Sequence, residues 1–217
     1  MARLGVLGGT FDPVHLGHLA VGQAARSALS LDEVRLMPSR IPPHRAAPRA
    51  SEFHRFAMAA LTALTEPGWT VADDELARDG ASFSYDTLIA IAATGRPATQ
   101  IYFLIGADAF AEIATWSRYP AVLDLAHFVV VARPGTSLAE VRARVPGVAA
   151  RLTDVAGVAQ ATTPAVVLLP AATPDVSSTE IRARAAHGAS LAGLVTEPVE
   201  QYIRRHGLYA AGAPVAH

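Results

Sequence analysis

The strongest constraint on the fold is a regular alternation between short apolar segments and longer segments with helical spacing. Apolar runs with the length of buried strands occupy 3–7, 33–37, 69–72, 100–105, 127–132 and 166–169. Helical spacing or capping residues mark 17–29, 51–64, 85–93, a segment opening near Ser177 and one after Pro198. This alternation predicts an α/β, Rossmann-like doubly wound parallel sheet, with a small C-terminal helical part over about 177–209.

The composition is consistent with one domain of this class. Of the 217 residues, 51% are apolar and only 6% are aromatic, so Ala, Val, Leu and Ile must supply most of the core. We find no internal repeat and no linker, and therefore predict a single domain over 1–217. The segment 138–163 is weakly periodic and gives no clear element.

Charge and cysteine content exclude several functional classes. The net charge of −1 provides no basic field for sequence-independent nucleic-acid binding. The absence of cysteine excludes disulfides, thiolate metal sites and cysteine nucleophiles. The first residues do not resemble a signal peptide, and no apolar run has membrane-spanning length. We therefore expect a soluble cytoplasmic protein that binds neither nucleic acid nor membrane, with its oligomeric state open and a homo-oligomer included.

Unusual residues follow the predicted strands. GGTFDPVH, PSRIPPHR, GAD, RPG and SSTEIR each stand directly after a strand or one short loop beyond it. Ligands of open parallel sheets bind beyond the carboxyl ends of the strands. These loops are therefore the candidate binding segments.

The segment GGTFDPVHLGH, residues 8–18, is typical of a phosphate site. Its glycine pair lets backbone N–H groups approach an anion, and the helix that follows directs its positive end toward the same place. It lacks the Lys-Ser/Thr ending of a P-loop, and it is not a GxGxxG dinucleotide fingerprint. His15 and His18 fall on one side of the first helical turn, with Gly17 leaving the backbone uncovered. Two such donors suit the oxygens of a phosphate in a transition state.

Two other interpretations of His15 and His18 remain open. One histidine could cap the helix while the other packs. Alternatively, the pair could bind zinc with a third ligand from Asp12, Asp108 or His44, although nothing in the spacing requires it and helical zinc pairs are usually four residues apart.

The segment SSTEIR, residues 177–182, first predicts a helix start. Ser177 and Glu180 have the spacing of a capping box. Arg182, however, places a cation in the first turns, where it opposes the helix dipole. A polyphosphate bound at the helix end would explain its presence.

Together these motifs resemble a known family. GGTFDPVHLGH resembles the (H/T)xGH signature of the nucleotidyltransferase superfamily, and SSTEIR resembles its SSTxIR motif. PPHR, DELARDGASFSYDTL, FLIGAD, the Trp116 that follows and LVTEPVEQYIRRHGLY narrow the resemblance to the bacterial nicotinate-nucleotide adenylyltransferase family, over nearly the whole chain and in the expected order.

The resemblance implies AMP transfer from ATP to nicotinate mononucleotide, giving deamido-NAD and pyrophosphate in NAD synthesis. It implies Mg²⁺ held by ATP phosphates and water, with no protein ligand. The implied catalytic residues are His15, His18 and Arg182. The implied ATP and phosphate contacts are Gly8, Gly9, Thr10, Phe11, Gly106, Asp108, Arg133, Ser178 and Thr179. The implied nicotinate-nucleotide contacts are His44, Arg45, Ser84, Trp116 and Ser117.

Some residues depart from the family pattern. The usual Ser-Tyr-Thr is here Ser82-Phe83-Ser84, which keeps the last hydroxyl and loses the phenol. Arg45 stands where lysine is common, keeping the charge but changing its geometry.

Structural roles are open for several site residues: Trp116 as a core anchor, Asp108 as a helix cap and Arg133 as a residue that solvates a strand end. We assign His54 and Arg55 to the surface of a helix or to the scaffold.

Alternative functions also follow from the sequence. The nearest are transfer to nicotinamide mononucleotide or to phosphopantetheine, the latter predicting a chain without the 74–88 loop. A non-catalytic nucleotide-binding protein is the third, although it would not need His15, His18 and Arg182.

Overall fold

The computed structural model describes residues 2–43, 47–132 and 138–211, and it contains a seven-stranded sheet with helices between the strands. The strands are β1 (Leu4–Gly9), β2 (Glu33–Pro38), β3 (Trp69–Val71), β4 (Ile101–Gly106), β5 (His127–Ala132), β6 (Leu152–Thr153) and β7 (Val166–Pro170). The helices are α1 (Leu16–Leu29), α2 (Glu52–Ala63), α3 (Ser84–Ala93), α4 (Ala107–Ala111), α5 (Leu138–Arg144), α6 (Val155–Val158), α7 (Ser178–Ala186) and α8 (Glu197–Arg205).

The sheet has the strand order β3-β2-β1-β4-β5-β7-β6. The pairings of β1 with β4, β4 with β5, β5 with β7 and β6 with β7 are parallel. β5 is buried along its whole length, as expected for a central strand covered on both faces. The predicted doubly wound parallel sheet is therefore confirmed.

Strand register aligns the ends that precede the candidate loops. Gly106 at the end of β4 is paired with Val131 of β5, and Ala132 is paired with Pro170 at the end of β7. The carboxyl ends of these strands therefore lie at one edge of the sheet, where the sequence predicts ligand-binding loops.

The chain divides into two compact units. The first comprises Met1–Gly8, Val21–Arg35 and Phe83–Thr173, and the second comprises Gly9–Ala20, Leu36–Ser82 and Pro174–His217. The predicted C-terminal helical part is present as α7 and α8 in the second unit. In the parts of the chain described above, no helix combines the length and apolarity needed to cross a bilayer.

The segment that gave no clear prediction contains short elements. Between 138 and 163 the structure has α5, a 3-10 helix over Pro146–Arg151, β6 and α6. None is longer than seven residues, so none could produce a sustained periodicity in the sequence.

Candidate active site

The loop between β1 and α1 belongs to the second unit and is built around Phe11. The Phe11 backbone is left-handed, with φ 50°, and its side chain is only 1% exposed. A Cβ at Gly9 would lie 2.9 Å from the Phe11 ring, so this turn requires glycine there. Because the ring belongs to the core, any phosphate contact at Phe11 must use its backbone.

His15 and His18 stack on each other at the end of this loop. Their ring centroids are 3.7 Å apart, and the edge of Phe11 packs on His18 at 5.0 Å. The His15 backbone N–H donates to Nδ1 of His18 at 3.2 Å. A ring nitrogen that accepts carries no proton, so neutral His18 holds its proton on Nε2 and can donate from there.

His15 is uncharged in the free protein. Its Nδ1 is buried and has no hydrogen-bond partner, and burial lowers the pKa of His15 to about 4. At neutral pH the stacked pair therefore avoids two adjacent positive charges.

The absence of a side chain at Gly17 leaves the space that the His15 ring occupies. A Cβ at Gly17 would lie 3.0 Å from both Cε1 and Nδ1 of His15. That distance is shorter than an ordinary van der Waals contact, so a larger residue would displace the ring. This packing is the structural reason for the glycine between the two histidines.

The N-terminus of α1 is partly satisfied by the protein itself. The His15 carbonyl accepts from the His18 N–H at 2.9 Å, and the Leu16 N–H donates to the Leu194 carbonyl at 2.9 Å. Of the two rings, that of His18 accepts a backbone N–H at the helix start, from His15, whereas Nδ1 of His15 has no hydrogen-bond partner. The interpretation that one histidine caps and the other packs therefore fits His18 as the cap.

The structure brings SSTEIR onto this loop. Ser177 caps α7 by accepting the Glu180 N–H at 3.2 Å, as the capping-box interpretation predicts. The Ser178 hydroxyl donates to the Pro13 carbonyl at 3.0 Å, and Nη1 of Arg182 donates to the Asp12 carbonyl at 2.8 Å. The start of α7 is therefore fixed to the segment that precedes His15.

Arg182 and Thr179 also contact each other. Nη2 of Arg182 donates to the Thr179 hydroxyl at 3.2 Å, and the Thr179 side chain is exposed. A hydroxyl and a guanidinium thus stand side by side in the first turns of α7, an arrangement suited to phosphate oxygens.

Asp12 is a structural acceptor of the loop. One carboxylate oxygen accepts the Arg49 N–H at 2.8 Å, and the other accepts the Ala50 N–H at 3.1 Å and the Tyr209 hydroxyl at 2.8 Å. Arg182 Nη1 lies 3.8 Å from the first oxygen.

The zinc interpretation finds no support in this arrangement. Over 2–43, 47–132 and 138–211, no group of three or more His, Asp or Glu side chains has a metal-binding arrangement. His44, Arg45 and Arg133, which the sequence nominates for binding, lie outside those residues.

Arg55 is the largest fully buried side chain of the structure as described. Its guanidinium donates to the carbonyls of Thr10 at 2.7 Å, Ser39 at 2.6 Å, Arg40 at 3.2 Å and Ala50 at 3.3 Å. The sequence assigned Arg55 either to the surface of a helix or to the scaffold. The scaffold role is confirmed, and the surface position is wrong.

The first unit carries Gly8, Gly106 and Asp108 at strand ends. A Cβ at Gly8 would contact the Phe103 ring at 3.6 Å, an ordinary distance, so a side chain would fit here. Gly106 occupies the N-cap position of α4, and Asp108 is exposed in the first turn that follows. The cap interpretation of Asp108 is therefore wrong, and its carboxylate is open to solvent.

Trp116, Ser117 and Ser84 are also in the first unit, and all three are half-buried. The Trp116 ring packs edge-on against Phe103 at 5.9 Å. A core anchor would be fully enclosed, whereas this indole keeps part of its surface accessible. Ser84 is the first residue of α3, whose N-cap Phe83 provides no side-chain hydrogen bond.

Comparison with known proteins identifies the family. A cytidylyltransferase-like family model matches residues 6–184. The probable nicotinate-nucleotide adenylyltransferase of Aeromonas hydrophila is 42% identical over 95% of this chain and 96% of its own length. The corresponding Chromohalobacter salexigens protein is also 42% identical, over 96% of each chain. This chain belongs to the nicotinate-nucleotide adenylyltransferase family.

A solved structure supports the same fold. The Plasmodium falciparum nicotinic acid mononucleotide adenylyltransferase complexed with NaAD superposes with a TM-score of 0.73. It is 16% identical and covers 96% of this chain and 98% of its own. At that identity the likeness concerns the fold alone.

In this nicotinate-nucleotide adenylyltransferase, the sequence did not predict the residues that support the loop between β1 and α1. The sequence nominates Asp12 only as a possible metal ligand, and it gives Tyr209 no role beyond its place at the end of the LVTEPVEQYIRRHGLY motif. Arg55 had a signal, because it shares the helical face of buried Met58 and Thr62, three and seven residues on. The hydrogen bond from Tyr209 to Asp12 gives no such signal in the sequence, because it joins residues 197 positions apart.

Proposed function

We propose that this enzyme transfers the adenylyl group of ATP to nicotinate mononucleotide, giving deamido-NAD and pyrophosphate. Family membership over nearly the full chain supports this reaction. The observation that carries it is the junction of α7 with the loop before α1. That junction fixes Arg182 and Ser178 to the segment leading into His15 and His18.

The reaction requires charge stabilisation more than proton transfer. An oxygen of the mononucleotide phosphate attacks the α-phosphorus of ATP, and the bond from that phosphorus to the bridging oxygen breaks, releasing pyrophosphate. The attacking phosphate is already ionised at neutral pH, so no general base is needed. The protein contributes in-line positioning and donors for the oxygens that gain charge.

The stacked histidines are the proposed donors at the α-phosphate. His18 supplies its Nε2–H, since its Nδ1 is used by the His15 backbone. A bound polyanion would raise the pKa of His15 from its depressed value, because a nearby negative charge favours the imidazolium. Arg182 and Thr179, at the start of α7, would hold the departing pyrophosphate.

Residues of the first unit would recognise the acceptor and the nucleoside. The accessible part of Trp116 would stack on the pyridine ring. The start of α3, lacking a side-chain cap at Phe83, offers N–H groups and the Ser84 hydroxyl to the pyridine carboxylate. The exposed Asp108 carboxylate would contact ribose hydroxyls or orient waters of the Mg²⁺ that enters with ATP.

The proposal is tested by pyrophosphate release. The purified chain, given ATP, Mg²⁺ and nicotinate mononucleotide, should release pyrophosphate, and it should be slower with the amide mononucleotide. Absence of release with either acceptor contradicts adenylyl transfer, and preference for the amide contradicts the choice of acceptor.

A pair of histidine variants tests the site. His18→Ala removes the proposed donor and should lower turnover about a hundredfold, as loss of one preorganised donor commonly does. His187→Ala is the matched control, since that exposed ring bonds only the Ala183 carbonyl within α7. Near-normal turnover of the His18 variant, with ATP still bound, would contradict the assigned role.

A further inference from the structure

Tyr209 joins the C-terminal end of the described chain to the loop that precedes the histidines. Its side chain is 6% exposed, and its hydroxyl donates to a carboxylate oxygen of Asp12 at 2.8 Å. Burial, then the Asp12 carboxylate, raises the pKa of Tyr209 far above its ordinary value. The phenol therefore stays protonated and acts as a permanent donor.

The Asp12 carboxylate depends on this bond for its orientation. Tyr209 and the Ala50 N–H hold one oxygen, and the Arg49 N–H holds the other. Tyr209 is the side-chain donor of the set, and its bond is shorter than the 3.1 Å bond from Ala50. Removing the hydroxyl would leave the first oxygen with one long hydrogen bond.

Asp12 in turn holds Arg182. Nη1 of Arg182 donates to the Asp12 carbonyl at 2.8 Å and lies 3.8 Å from the carboxylate oxygen that Arg49 binds. The guanidinium is thus attracted by both the main chain and the side chain of one residue. A rotated carboxylate would change the charge facing Nη1 and leave the carbonyl bond in place.

Backbone conformation indicates that this connection is maintained against local strain. Tyr209 has φ 65°, and Phe11, next to Asp12, has φ 50°. Left-handed backbone is unfavourable for aromatic residues and persists where surrounding contacts determine it. A phenylalanine at 209 could fill the same buried volume, so replacing Tyr209 by Phe removes the hydrogen bond to Asp12 and keeps the ring.

We infer that Tyr209 is a positioning residue of adenylyl transfer, acting through Asp12 to orient the Arg182 guanidinium. The inference rests on the proposed function in one respect, namely that Arg182 contacts the phosphates of ATP. It assigns a role in the reaction to Tyr209, whose hydroxyl donates to the Asp12 carboxylate.

The test compares Tyr209→Phe with Tyr202→Phe. Tyr202 lies on α8 in the same unit and donates or accepts only at His54, so its variant loses a tyrosine hydroxyl away from the loop. We expect Tyr209→Phe to lower kcat about tenfold with little change in KM for the mononucleotide. Tyr202→Phe should leave kcat within about twofold.

A double-variant cycle separates positioning from general destabilisation. In an Arg182→Ala background, Tyr209→Phe should change kcat by less than about twofold, because the residue through which it acts is gone. A tenfold loss in both backgrounds would overturn the inference, as would no loss in either. Para-aminophenylalanine at 209 retains a donor and should restore most of the activity, even if the phenylalanine variant proves less stable.

A binding measurement without acceptor tests the role of Tyr209 independently of which acceptor the enzyme uses. Calorimetry without acceptor should show Tyr209→Phe binding ATP several-fold more weakly than the unmodified chain and binding AMP equally well. If the unmodified chain releases no pyrophosphate, the proposed function fails, and the ratio of ATP to AMP affinity still decides the role of Tyr209. Equal weakening for both nucleotides would contradict it.

Discussion

Arg55→Met removes a buried cation that ties the loop between β1 and α1 to two neighbouring segments. The Arg55 side chain is 1% exposed and donates to four carbonyls, two of them at 2.6 and 2.7 Å. Methionine fills the volume but leaves the carbonyls of Thr10 and Ser39 without their donor. Hydrogen bonds to a charged group contribute about 1.5–3 kcal/mol each, so the two short bonds together contribute about 3–6 kcal/mol. We therefore expect the free energy of unfolding to fall by about 4 kcal/mol.

Urea denaturation followed by tryptophan fluorescence measures this loss. The chain has two tryptophans, and Trp69, buried in β3, belongs to the same unit as Arg55. Working in a Trp116→Phe background makes Trp69 the sole reporter, so the transition follows the second unit. Far-UV circular dichroism on the same samples checks whether the two units unfold together.

Two further variants show how large the stability loss of Arg55→Met is by comparison. Arg55→Lys keeps the charge but loses the planar set of donors, and should lose about 2 kcal/mol. Arg204→Met removes an arginine that is 61% exposed and paired with Glu200 on α8, and should change stability by under about 0.5 kcal/mol. If the free energy of unfolding of Arg55→Met lies within about 1 kcal/mol of that of the Arg204→Met control, the hydrogen bonds from Arg55 to the four carbonyls do not stabilise the protein.

Three further predictions concern individual side chains. NMR titration should give a His15 pKa of about 4 in the free protein and a higher one with ATP bound, because bound phosphate favours the imidazolium; an unchanged value would place the ligand elsewhere. Gly17→Ala should lower turnover at least tenfold by displacing the His15 ring, while the melting temperature changes little; normal turnover would show that the ring position is not needed. Burial lowers the pKa of His127, whose Nδ1 accepts the Ala165 N–H, so its protonation favours the unfolded chain and stability falls as pH drops below about 6.5. Stability measured against pH should therefore be flatter for His127→Phe, and an equally steep curve would refute this.

Local patterns predicted most of the fold because each element carries its own signal. The six predicted strands are all present, and Ser51 accepts the His54 N–H at the start of α2 as a capping residue should. β6 was missed because two residues cannot show an alternation. The two compact units leave no signal in the sequence, since each unit is built from three separate segments and no linker marks the boundary.

The placement of a candidate site residue was predictable where one short segment contains both the side chain and the packing that fixes it. His15, Gly17 and His18 satisfy that condition, because the glycine that admits the His15 ring is two residues away. Arg182 satisfies it only in part. Its place in α7 follows from the Ser177 cap, but its acceptor at Asp12 lies 170 residues earlier, and a pattern within one segment has no information about that distance.

Tyr209 is harder still to predict, because its partner is even more distant in the sequence. A tyrosine after a C-terminal helix is an ordinary apolar anchor by any local criterion, and only the fold puts its hydroxyl on a carboxylate 197 residues away. Its neighbours in sequence therefore predict burial and not a role. If the Tyr209→Phe effect on kcat disappears when Arg182 is absent, the energetic connection will have been measured directly. Residues that touch no substrate would then have to be sought among the buried donors behind a site, where neither periodicity nor motif spacing can find them.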